Sequence, residues 1–326
     1  MSTTSFDKKR HAVFAVLIVV SVLIYAISAQ AQAFITAAQI IAMSALTLFC
    51  LYAGRSRIFL SATLIVIMTA VGFWVYADPL QAILFTLGFA LPGLCIGIGL
   101  TKKRDFAEYM VCAVVLLVIV NIFSIYYDLT LMGAERTVDA AIDYLMAPVF
   151  NMLSQYASPA GQEASVNMAS VEAVVRSTAI GSFVSAMILQ VFGAYALAGA
   201  LNTVVKLKRP GFFESLKLFN ISRVGGIIFL VCAIVNLWTA GENPNIYAAN
   251  LYAILQYPLA LGGVATIYRL MSMYGAKQKT KRTVTAVVCI LTIIPVLNIS
   301  SIISYVGALN ALVPFTMPKD VPPGSK

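Results

Sequence analysis

The residues of this chain best suited to chemistry are uncharged. Asn250, Gln256, Tyr257 and Pro258 fall within one long apolar stretch, ahead of Gly262-Gly263, and Pro295, Asn298, Ser300, Ser301 and Ser304 fall within the next. An amide offers both donors and an acceptor, a hydroxyl offers one of each, and neither carries a charge that must stay hydrated. A proline inside an apolar helix frees backbone carbonyls that a cavity or a bound solute can satisfy. Together these groups predict a binding site for a small solute, drawn from Asn250, Gln256, Asn298 and Ser301. The competing expectation is structural, with each amide bonding a neighbouring helix and contributing about 0.6–2 kcal/mol to packing. Asn121, Gln190, Asn202, Asn236 and Asn310 carry the same chemistry.

Ionisable chemistry is excluded by position. A charge deep in a membrane is costly and marks function where it occurs, and here no Asp, Glu, Lys or His lies well inside an apolar stretch. Arg176 and Arg269 lie near stretch ends, where a long side chain can snorkel to the headgroups. A proton relay, a carboxylate-bound sodium site and a membrane aspartyl protease all need acids that these stretches lack. His11 is the only histidine and no HExxH is present, so intramembrane metalloprotease, rhomboid-type, zinc and haem sites lack their residues. There is no GxxxxGK[ST] loop for a nucleotide. The expectation is a non-enzyme with no cofactor and no metal. Cys50, Cys95, Cys112, Cys232 and Cys289 all fall within apolar stretches, which predicts small packing residues rather than disulfides of an oxidising compartment.

The elements that must position these residues are long apolar runs at 11–29, 34–53, 58–77, 80–100, 109–127, 174–205, 224–240, 246–271 and 284–312. That predicts an all-α bundle of about nine transmembrane spans, since crossing a hydrocarbon core takes ~20 apolar residues. The chain is 60% hydrophobic, against ~45–50% for a water-soluble globule, and residues 1–326 are expected to form a single integral membrane domain. Its 22 Lys and Arg residues fall in alternate gaps, all but Arg136, Arg176, Lys319 and Lys326 on one side. Of the 13 acids only Asp7, Asp105, Glu108 and Glu214 share that side. Cations near span ends set orientation, so the prediction is N-in and C-out. A pI near 9.3 then reflects short inner loops facing anionic headgroups, not nucleic acid. Lys8-Lys9-Arg10, an apolar run and Ala29-Gln30-Ala31-Gln32-Ala33 imitate a cleavable signal peptide. Because the next run follows at once and the charge alternation works with it retained, an uncleaved first helix is the favoured reading, with cleavage the alternative.

Two segments break the pattern of short loops. In the outer segment 128–173, Val138, Ile142, Leu145, Met146, Val149, Met152, Leu153 and Tyr156 recur at helical spacing, predicting an amphipathic helix. Pro148 is expected to kink it or end its first part, and Ser158-Pro159-Ala160-Gly161 to terminate it. It would lie at the outer interface or cap a cavity. In the inner segment 206–222, Phe212, Phe213, Leu216 and Phe219 can share a face while Lys208, Arg209 and Lys217 reach headgroups, as in an interfacial helix. Gly93 and Gly97 form a GxxxG spacing near Gly88 and Gly99, and Ala194/Ala198 and Ala196/Ala200 a similar small-residue surface, so helix backbones can approach closely there.

Several pieces resemble the YybS-like family of uncharacterised bacterial integral membrane proteins: Asp78-Pro79 leading to Leu91-Pro92-Gly93 and Lys102-Lys103-Arg104; the long outer amphipathic segment; Phe219-Asn220-Ile221-Ser222-Arg223; and Asn250 followed by Gly262-Gly263. Family members often close with Gly-x-x-Asp and a nearby Arg, where this chain has Gly307-Ala308-Leu309-Asn310 and no Arg. That family is similar in architecture to the substrate-binding subunits of energy-coupling-factor transporters. The resemblance implies a multi-pass protein of the bacterial cytoplasmic membrane that binds a small solute from outside and depends on a separate energising protein. The alternative is a scaffold or assembly protein with no small-molecule substrate, whose basic loops or small-residue faces meet protein partners.

Overall fold

A computed structural model describes residues 3–28, 32–51, 56–102, 104–157, 168–205, 219, 221–239, 245–293 and 299–313. Among the described residues the fold is all-helical: α1 (Thr3–Ser28), α2 (Gln32–Leu51), α3 (Ser56–Tyr76), α4 (Pro79–Thr101), α5 (Phe106–Leu131), α6 (Val138–Ala157), α7 (Met168–Val205), α8 (Arg223–Trp238), α9 (Ile246–Met273), α10 (Gln278–Ile293) and α11 (Ile299–Leu312). Five of them, over Ile58–Tyr76, Pro79–Thr101, Phe106–Leu131, Ala173–Asn202 and Ile246–Met273, are long and apolar enough to cross a membrane. Within the apolar run at 284–312 the described residues belong to α10 and α11, and α10 starts earlier, in the basic segment. Residues 294–298, Asn298 included, lie outside the described residues.

Helix starts follow local chemistry. Asp78 caps α4, its Oδ1 accepting from the Gln81 amide at 2.9 Å, with Pro79 in the first turn where no N–H is needed. Ser222 and Asn245 cap α8 and α9 through the amides of Gly225 (3.2 Å) and Ala248 (3.0 Å). After α9, Gly275 takes the left-handed conformation (φ 69°) and the Ala276 amide donates back to the Met271 carbonyl at 3.0 Å, closing the helix end. α6 does not end at Pro148; it continues to Ala157. The Ser158-Pro159 terminator and most of the inner segment 206–222 lie outside the described residues.

The chain divides into two compact units, Met1–Ala141 with Met187–Phe212, and Ile142–Ala186 with Phe213–Lys326. α7 contributes its first half to the second unit and its second half to the first.

In the first unit α2 is the central element. Ala42, Met43, Ala45, Leu46, Leu48 and Phe49 are all fully buried. The GxxxG glycines of α4 pack against it: a Cβ at Gly93 would lie 3.0 Å from the Met43 carbonyl oxygen, and one at Gly97 would strike Cys50. Ala194 and Ala198 of α7 join the same core, where Ser44 Oγ donates to the Ala194 carbonyl at 2.9 Å. Gly93/Gly97 and Ala194/Ala198 thus serve packing within the chain, whereas Ala200 is exposed. Tyr25 stacks on Phe85 at 3.9 Å between centroids. α3 has mean hydropathy 2.3 yet only 17% of its span is buried, and Phe59, Val66 and Trp74 point outward, Trp74 at 76% exposure. A helix apolar on all sides is not stable facing water.

In the second unit α8, α9 and α11 meet through glycine. A Cβ on Gly263 would strike the Ile303 carbonyl, and one on Gly307 the Leu259 carbonyl, so α9 and α11 touch backbone to backbone. Phe229 of α8 fills the side of this contact, stacking on Tyr252 at 4.8 Å and meeting Tyr305 edge-on at 5.3 Å. α6 is tied to α7 in this unit: Arg176 pairs with Asp143 at 2.5 Å and lies 5.9 Å over the Phe150 ring.

Candidate functional site: the uncharged polar groups of the second unit

The residues singled out by sequence separate into three cases. Asn250 belongs to the α7–α9 contact. Its Nδ2 donates to the carbonyls of Ser177 (2.6 Å) and Ile246 (2.8 Å), and its Oδ1 accepts from the Gly181 amide at 2.5 Å. Gly181 permits this approach, since a Cβ there would lie 2.8 Å from Asn250 backbone atoms. One turn on, Ser185 Oγ donates to the Ala253 carbonyl at 2.7 Å. Both donors of Asn250 and one acceptor position are therefore committed to backbone, leaving a single lone pair.

Gln256 and Ser301 are brought together. The Gln256 amide nitrogen donates to Ser300 Oγ at 3.0 Å and to Ser301 Oγ at 3.1 Å, joining α9 to the first turn of α11. Gln256 and Ser301 are half-buried and Ser300 is buried. Among the described residues Gln256 Oε1 accepts no hydrogen bond, so the amide keeps an acceptor available. Ser304 is fully buried and donates to the Ser301 carbonyl at 2.6 Å. On the same helix faces, four residues away in each case, stand Tyr252 and Tyr305 of the Phe229 aromatic group. Asn298, the fourth candidate, lies outside the described residues. Asn250 and Gln256 are six positions apart on α9, roughly 9 Å along its axis at 1.5 Å per residue, so they do not share one small ligand's contact set.

Arg269, near the end of α9, donates from Nη2 to the Phe219 carbonyl at 3.2 Å and from Nε to the Ala265 carbonyl. It holds the backbone that leads into α8. Sequence alone gave no sign of this, because the acceptor is a main-chain oxygen fifty positions away.

Two further polar features belong to the first unit. At the α4–α5 ends, Tyr127 donates to Asp78 Oδ2 at 2.9 Å and Gln81 Nε2 to Asp128 Oδ1 at 2.8 Å. The Gln81 amide, opposed by desolvation and helped by the Tyr127 hydroxyl, holds the Asp78 carboxyl below its usual range. Further along, Gln190 Oε1 and Asn202 Oδ1 of α7 are buried and have no hydrogen-bond partner among the described residues. Their residues are 8% and 7% exposed, and such buried acceptors ordinarily meet a water or a ligand group. The signal for them was present as amides in an apolar run; their isolation was not.

Compared with known proteins, the chain matches no family model, no curated protein and no solved structure.

Proposed function

We propose that this chain is a multi-pass integral membrane protein of the bacterial cytoplasmic membrane, acting as a solute-binding or transport subunit without enzymatic activity. It crosses about nine times, N-in and C-out, with α10 and α11 together making the last crossing and α6 lying at the outer interface. Its apolar exterior supports the membrane reading. Both tryptophans of the chain, Trp74 and Trp238, are 76% and 86% exposed near the ends of α3 and α8, the ends that the charge pattern assigns to the outer side, where indole rings favour the headgroup level.

The observation that carries the binding reading is Gln256. Its amide nitrogen spans two serine hydroxyls while its oxygen stays available, half-buried beside Tyr252 and Tyr305, with no charged group in the arrangement. Such a group suits an uncharged solute that donates a hydrogen bond, and it supplies no energy, so a separate energising protein would drive movement. The bonds of Asn250 favour a second reading, a membrane scaffold in which amides join helices and partners dock elsewhere.

The two readings separate on purified full-length protein. Mass spectrometry of protein taken from a mild detergent is expected to find a co-purifying small neutral molecule in the wild type, lost in Gln256→Ala and Ser301→Ala. Empty protein, together with unchanged cellular uptake of metabolites on deletion and a stable crosslinked protein partner, would favour the scaffold.

A further inference from the structure

The corner between α9 and α10 concentrates cations that no carboxylate among the described residues neutralises. From Glu242 to Asp320 the sequence has no acidic residue, yet Arg269, Lys277, Lys279, Lys281 and Arg282 fall between them. Elsewhere two exposed arginines have carboxylates beside them: Arg104 lies 3.8 Å from Glu108, and Arg176 pairs with Asp143. At this corner the acceptors are neutral. Arg269 is taken by the Phe219 carbonyl. Lys281 donates to Ser272 Oγ at 3.3 Å and lies 5.7 Å over the Tyr268 ring, whose hydroxyl accepts from Gln278 Nε2 at 3.2 Å. Lys277 and Lys279 are exposed and make no ion pair among the described residues.

The charges also stand at the unfavourable end of a helix. They open α10, where the macrodipole is positive and cations are destabilising. Next to them, Met273 and Tyr274 are 43% and 86% exposed, and the left-handed Gly275 turns the chain back so that these apolar groups and the lysines share one corner. An anionic head with an apolar tail matches both parts: the phosphate answers the lysines, and the acyl chain answers Met273 and the Tyr274 ring.

We infer that the α9–α10 corner binds the headgroup phosphate of an anionic phospholipid, held by Lys277 and Lys279 with Tyr274 at the headgroup level. This rests on the membrane-spanning reading and not on the solute site.

The test uses the full chain reconstituted in bilayers of equal phosphatidylcholine and phosphatidylglycerol, re-extracted in mild detergent, with the retained lipids measured by mass spectrometry. Wild-type protein is expected to retain phosphatidylglycerol in preference to phosphatidylcholine. Lysines near an anionic surface each contribute about fivefold in affinity, so Lys277→Gln/Lys279→Gln should lower the preference by at least about that factor. Lys102→Gln, an exposed inner lysine elsewhere, should leave it in place, as should excess inorganic phosphate. Equal preference in wild type and the double variant, an equal loss in Lys102→Gln, or displacement by free phosphate would each overturn the assignment. Retention of neither lipid would overturn this assignment, whereas failure of the chain to enter the bilayers at all would overturn the membrane-spanning reading.

Discussion

An amide side chain has two donors and an acceptor with two lone pairs, so its role depends on how many remain when the helices have packed. Asn250 has spent both donors and half of its acceptor on the backbone of Ser177, Ile246 and Gly181. Gln256 has spent only its donors. Asn250→Ala is therefore expected to cost about 1–2 kcal/mol, in the range for interhelical side-chain bonds in membranes, read from denaturant unfolding in micelles, while solute retention stays at the wild-type level. Loss of solute with unchanged stability would return Asn250 to the site. The sequence named Asn250, Gln256 and Ser301 as one group because all are neutral and polar in neighbouring apolar runs. It could not separate them, because bonding to a carbonyl and presenting a free oxygen look alike in one dimension.

At the scale of elements, glycines decide which helices touch. Gly307 faces the Leu259 carbonyl and the Gly263 amide, with no room for a Cβ, whereas a Cβ on Gly193 would meet Ile40 side-chain atoms at 3.8 Å, an ordinary contact. The pair predicts opposite outcomes for the same change. Gly307→Ala should push α9 and α11 apart and destabilise by about 1–3 kcal/mol, the usual range for overpacking. Gly193→Ala should be neutral or stabilising, since it removes backbone freedom from the unfolded chain without strain. Thermal unfolding of both variants in one detergent checks this; equal midpoints would show that the α9–α11 contact can relax. The run of apolar residues located α2 to α5 and α7 to α9 within a few positions. The first helix is the exception, since α1 reaches back to Thr3 through Lys8, Lys9 and Arg10, where hydropathy gives no sign of it.

For the whole molecule, the charge pattern makes a prediction that geometry inside each unit does not. With the native cysteines replaced by alanine, a membrane-impermeant maleimide added to intact cells should label Asp139→Cys at the start of α6. It should reach Lys279→Cys only after the membrane is opened; the reverse order would overturn the orientation. By itself the sequence determined that the chain is helical, how much of it is apolar and on which sides its charge should lie. These are properties of short segments meeting their solvent, and each is decided by a residue's own transfer energy summed over a helix length. Only the tertiary structure decided that the chain forms two packed units, that Gly93 and Gly97 serve α2, that Arg269 serves the Phe219 carbonyl, and that Asn250 bonds backbone while Gln256 bonds the hydroxyls of Ser300 and Ser301. Those depend on what stands opposite each group, and the opposing residue is set by packing between segments far apart in the chain.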